Sequence, residues 1–118
     1  MANNEVHLVT VNFTASSLAK DGELTSSIIQ LNDYKPQGFF SAQLVTAGAG
    51  IVSLVYSLSD TRGGTYVTPT GASDIVSAHT AGTGKFAFSP MAALFMKIMI
   101  TEAGVATITS FGLTLAIS

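Results

Sequence analysis

Apolar and polar positions alternate along most of this chain, and the polar positions are filled mainly by Ser, Thr and Gly. Segments 5–14, 39–46, 51–59, 94–101 and 105–117 carry this two-residue period, the mark of a strand with one buried face. In the first segment Val9, Val11 and Phe13 share a face, and Leu8, Thr10 and Asn12 share the other. A second strand is predicted over 24–32, with Thr25, Ser27, Ile29 and Leu31 in phase; Pro36 bars a central strand position just beyond it. Phe40, Ala42 and Leu44 then lie on one side, and Val52, Leu54, Tyr56 and Leu58 on one side of the next segment. The glycine-containing turn at 46–50 predicts that these two segments form a hairpin.

Residues 59–84 hold most of the turn chemistry, with short strands expected at 65–67 and 74–78. Another is expected at 85–89, stopped by Pro90. Segments 94–101 and 105–118 read as a closing hairpin around Glu102-Ala103-Gly104, the last strand being long enough to bend near Ser110-Phe111-Gly112. No window carries a convincing helical period, and the best candidate, 89–94, makes one turn at most. The expected fold is therefore all-β: one antiparallel β-sandwich or jelly roll of about 8 strands, with little or no helix. Without a repeat or a linker, residues 1–118 read as one domain, with 1–5 as an N-terminal arm.

Composition narrows the function. Charged residues make up 10% of the chain, against about 25% in an ordinary soluble domain, so acid/base chemistry has few groups to draw on. Five Lys and Arg spread singly, with a net charge of −2, give no basic footprint, and nucleic acid is excluded as an expected partner. The absence of Cys excludes a disulfide framework and a thiolate metal site. Residues 36–59 run about 24 positions without a charge, long enough for a membrane helix. They alternate on both sides of a glycine turn, however, which fits two strands better, and no membrane partner is expected. The start Met-Ala-Asn-Asn-Glu lacks the pattern of a secretion signal, so synthesis in a host cytoplasm is expected.

The chemistry-bearing residues are sparse. His7 and His79 have no acidic neighbour at ligand spacing, and surface or partly packed imidazoles account for them better than a metal. Asp60 and Asp74 could join His79 across the irregular middle, but no Gly-x-Ser-x-Gly elbow accompanies them. The carboxylates Asp21, Glu23, Asp33, Asp60, Asp74 and Glu102 lie in or beside predicted turns and read as solvated turn residues. Gly82-Thr83-Gly84-Lys85 lacks the first glycine of a phosphate loop and is followed by a strand rather than a helix. No catalytic, cofactor or metal residue is assigned, and the chain is expected not to be an enzyme.

Three segments are candidates for protein contact. The loop 57–66 gathers Asp60, Arg62 (the only arginine) and Tyr66, residue types common among interface anchors. Its plainer reading is a connecting turn in which Asp60 bonds its own backbone. The strand 94–100 is apolar on both faces except Lys97, which shares a face with Phe95 and Met99. Such a strand is either central in the sandwich or half-covered by a partner. Asn3 and Asn4 belong to the polar N-terminal arm, suited to reach a neighbour.

Taken together, Tyr56-Ser-Leu-Ser-Asp60, Gly63-Gly64-Thr65-Tyr66, Phe88-Ser-Pro90, Met96-Lys-Ile-Met-Ile-Thr101 and Val105-Ala-Thr-Ile-Thr109 resemble small β-sandwich virion proteins of tailed bacteriophages. The resemblance is to subunits that decorate or cement capsids, or sit at the neck and tail, and it covers the last two-thirds of the chain. It implies a structural role in the virion, contact with the major capsid protein or other virion subunits, and a homo-oligomer such as a trimer. It carries over no individual residue. Hydroxyl-rich, charge-poor strands agree with it, because hydrogen bonds and apolar burial survive changes of salt that weaken surface ion pairs. The alternative is a carbohydrate- or receptor-binding module, in which Tyr66 is the best-placed aromatic because the chain has no Trp.

Overall fold

A computed structural model describes residues 6–34, 36 and 38–118. Its strands are β1 (His7–Thr10), β2 (Glu23–Thr25), β3 (Ile29–Gln30), β4 (Phe40–Gly48), β5 (Val52–Ser59), β6 (Val76–His79), β7 (Gly82–Phe88), β8 (Phe95–Glu102) and β9 (Ile108–Ile117). One sheet has the order β1-β9-β4-β7, the other β2-β8-β5-β6, with β3 also pairing β8. Every pairing is antiparallel. Apart from β5 and β6, which pair within the second sheet, and β2 and β3, which share one position there, successive strands cross between the two sheets, and the result is the expected β-sandwich of jelly-roll order.

The alternation read from the sequence sets the core. Phe40, Ala42 and Leu44 of β4 and Leu113, Leu115 and Ile117 of β9 face inward from the first sheet. Val52, Leu54 and Tyr56 of β5 and Met96, Ile98 and Ile100 of β8 meet them from the second, all buried. Each of the Leu, Ile, Val, Met and Phe side chains among these contributes roughly 1.5–3 kcal/mol through removal from water.

Neither predicted hairpin forms. β4 pairs with β7 and β9, and β5 with β6 and β8, so the 48–51 connection crosses between the sheets. The connection from β8 to β9 crosses in the same way. In both cases the two alternating segments bury their apolar faces against a common core from opposite sides, an arrangement that the same alternation satisfies equally well. Gly48 makes the first crossing possible: its φ is +106, and a Cβ there would lie 2.6 Å from the Thr107 carbonyl oxygen.

The other differences are local. The first strand is shorter than 5–14, although Val11 continues the pairing through its N–H to the Leu113 carbonyl. The predicted strand 24–32 breaks into two because Ser26 Oγ accepts the Ile98 N–H at 2.9 Å, displacing a regular ladder bond. The phase then shifts, leaving Thr25 exposed and Ile29 buried, and Leu31–Tyr34 close into a 3-10 turn. The segment 89–94 makes no helix. β7 runs seven residues, beginning earlier than predicted, and β9 stays one strand with a register shift opposite Ala47 and Gly48.

Candidate functional site

The two described segments singled out for contact come together on the outer face of the second sheet. β8 is central there, between β5 on one side and β2 and β3 on the other, so its inner face is core. Its outward residues Phe95, Lys97 and Met99 stand in register with Ser59, Ser57 and Val55 of β5 and are half-buried. The loop after β5 folds back over them. Val67 exchanges backbone hydrogen bonds with Leu58, and Thr68 Oγ1 donates to the Tyr56 carbonyl at 2.9 Å.

This return lays Tyr66 against Lys97, whose Nζ stands 4.4 Å from the ring centroid, a cation–π contact. The Tyr66 hydroxyl donates to the Arg62 carbonyl at 2.8 Å, and Arg62 Nη1 donates to Gln30 Oε1 at 3.3 Å. Gln30 in turn sits opposite Phe95. Arg62, Tyr66, Phe95, Lys97 and Met99 therefore share one surface, beside a cavity of about 230 Å³ lined in part by Thr25, Val55, Tyr66 and Met99. Among the described residues, the contacts of both cations are to neutral groups, the Gln30 amide oxygen and the Tyr66 ring. Asp60 is exposed at the tip of the turn, and Ser59 ties that turn instead: its Oγ donates to the Thr61 carbonyl at 2.7 Å and accepts the Thr61 N–H at 3.1 Å. Asn3 and Asn4 lie outside the described residues.

The outer face of the first sheet differs in character. One row across it is Leu8, Ala116, Ser41 and Ala87; the next is Thr10, Thr114, Gln43 and Lys85. A third contains Gly112, Val45 and Thr83. Leu8 is 73% exposed and Val45 44%. The one charge in these rows, Lys85, lies on the edge strand β7.

Each histidine ring packs near an aromatic ring. His79 Nε2 lies 3.0 Å from the Gly82 carbonyl oxygen and its ring meets Phe86 edge-on. His7 packs near the Tyr34 ring, with centroids 5.9 Å apart. Among the described residues no three His, Cys, Asp or Glu side chains group to hold a metal ion.

Asp21, Glu23, Asp33, Asp60 and Asp74 are exposed, and Glu102 is the exception to the reading of the carboxylates as solvated turn residues. It is 5% exposed, and its carboxylate accepts N–H groups from Asp21, Ile51, Gly104, Val105 and Ala106. These donors come from the turn before β2 and from both connections that cross between the sheets. Burial pushes the carboxyl up, but the backbone donors of Asp21, Ile51, Gly104 and Val105 outweigh it and hold the pKa down at about 2. The signal was in the phase of β8: Met96, Ile98 and Ile100 point inward, and Glu102 is the next position in that series.

No protein-family model matches the sequence, and no curated protein matches it. Among solved structures, the Yersinia pseudotuberculosis-derived mitogen is similar with a TM-score of 0.50 at 14% identity, covering 96% of this chain and 85% of the mitogen. That likeness is one of fold. A family two carbohydrate esterase from Cellvibrio japonicus gives a TM-score of 0.47 at 11% identity over 97% of this chain and 34% of the esterase. Infectious bursal disease virus Gt strain gives 0.47 at 12% identity over 97% of this chain and 32% of the viral chain. The chain spans about a third of the length of these last two.

Proposed function

We propose that this chain is a non-catalytic structural subunit of a bacteriophage virion that decorates or cements the capsid by binding the major capsid protein or another virion subunit. The observation that supports this reading is the convergence of Arg62, Tyr66, Phe95, Lys97 and Met99 on one sheet face. Arg and Tyr are enriched where binding energy concentrates, and Met and Phe supply the desolvated contact around them. The two cations are held in place by neutral partners, so their charge is available to a carboxylate on the bound subunit. A low overall charge suits contacts that must persist when salt changes outside the host.

Mass spectrometry of virions purified from the phage encoding the chain tests the reading. The chain is expected in many copies per particle. Its absence from intact particles overturns the proposal. In the same particles, Arg62→Glu combined with Lys97→Glu is expected to lower occupancy at least tenfold, because two attractive contacts become repulsive.

A second reading, carbohydrate capture, draws on the cavity beside Tyr66, where Thr25, Ser57 and Thr68 offer hydroxyls next to an aromatic ring. Binding on a glycan array that Tyr66→Ala abolishes would put this reading ahead of the first.

A further inference from the structure

We infer that the outer face of the β1-β9-β4-β7 sheet is a self-complementary surface that receives a second copy of this chain across a two-fold axis. The inference rests on the reading above only in taking the protein to act through protein contacts; it assigns a different face and a different partner.

A two-fold contact sets a patch against itself, so any charge near its centre meets its own sign. This face satisfies that condition. Its centre is built by the outward positions of β9 and β4, which include Thr114, Ala116, Ser41 and Gln43 and carry no charge. Lys85 sits on the edge strand β7, where it stays solvated at the rim. The polar groups at the centre are hydroxyls and an amide, each both donor and acceptor, so each can pair with its own copy. A carboxylate or an ammonium has no such self-complement.

Size points the same way. With nine residues in β4 at about 3.4 Å each, and four strands about 4.8 Å apart, the face covers roughly 500 Å² in projection. Side-chain relief brings that toward the roughly 800 Å² per partner of a standard interface. Small residues along β9 and β4 let the two sheets approach to about the 10 Å spacing of packed sheets. A face that leaves Leu8 73% exposed and Val45 44% exposed in the single chain would have both covered in the pair.

Sedimentation equilibrium on the full chain tests this. The wild type is expected at twice the chain mass in the micromolar range. Thr114→Lys and Thr114→Glu, each placing a charge in the centre, are each expected to raise the dissociation constant about 100-fold or more. Mixing the two variants is expected to restore the dimer, which a misfolded variant cannot do. A wild type that stays monomeric at about 100 μM, well above typical stable-dimer affinities, overturns the inference. So does a dimer that neither variant weakens, or a mixture that fails to pair. Virion occupancy is read separately: a dimer absent from virions removes the proposed function and leaves this inference, and a virion-bound monomer does the reverse.

Discussion

Glu102 Oε2 accepts the Ile51 N–H at 3.0 Å, joining residues fifty-one positions apart and tying together the two connections that cross between the sheets. Together with the N–H groups of Asp21, Gly104, Val105 and Ala106, this bond favours the ionised carboxylate, since protonation removes an acceptor site and puts a donor among donors. The folded pKa is about 2 and the ordinary value is 4.5, so the folded protein binds this proton less readily than the unfolded chain. Stability from Glu102 is therefore fully present above about 4.5 and is lost as pH falls toward about 2. Calorimetric melting temperatures of wild type and Glu102→Gln from pH 7 to pH 2 check this. The variant is expected to melt lower at pH 7, with the gap closing as pH falls through that window; a gap independent of pH contradicts the assignment.

The crossings themselves depend on backbone conformation. Gly48 has a φ of +106 and no room for a Cβ beside the Thr107 carbonyl. Gly48→Ala is expected to cost about 1–3 kcal/mol in urea denaturation. Gly112 has no atom within 4 Å of the corresponding position and no positive φ. Gly112→Ala is expected to be neutral or to raise stability by about 0.5 kcal/mol.

These two sites mark where sequence reading stops. Alternation in 39–46 and 51–59 identifies Phe40, Leu44, Leu54 and Leu58 as inward, and they are buried. It does not identify the neighbouring strand, because a hairpin and a crossing between sheets bury the same faces. The Gly48 turn serves either. Arg62 and Tyr66 on one side, and Phe95, Lys97 and Met99 on the other, were recognisable as separate segments. Their meeting depends on the 60–68 loop folding back onto β5, a tertiary event fixed by the Val67–Leu58 pairing rather than by local pattern. Glu102 was hidden by its company: Ala103 and Gly104 mark a turn, and a carboxylate beside a turn is usually solvated.

Thr46 faces the core from β4 at 4% exposure, and its Oγ1 has no hydrogen-bond partner among the described residues. A buried hydroxyl without a partner costs about 1–3 kcal/mol relative to an apolar group of the same shape. Thr46→Val keeps the β-branched shape and is expected to raise unfolding free energy by about 1 kcal/mol. Leu44→Ala, two residues away and fully buried, is expected to lower it by about 2–5 kcal/mol. Denaturant midpoints with unchanged slopes check both.

The Tyr66–Lys97 contact joins the returning loop to β8, and its strength decides whether the loop is held before a partner arrives. Both residues are half-buried, and the ammonium stands 4.4 Å from the ring centroid. A cation–π pair at such a site contributes about 0.5–1 kcal/mol. The double-mutant cycle of Tyr66→Leu and Lys97→Met is expected to return a coupling energy in that range, because each substitution keeps most of the apolar contact. Amide hydrogen exchange of residues 60–68 is expected to speed up in either single variant, with exchange in β4 and β9 unchanged. A coupling near zero would mean that the Val67–Leu58 bridge alone holds the loop, and that Tyr66 and Lys97 meet a partner as independent groups.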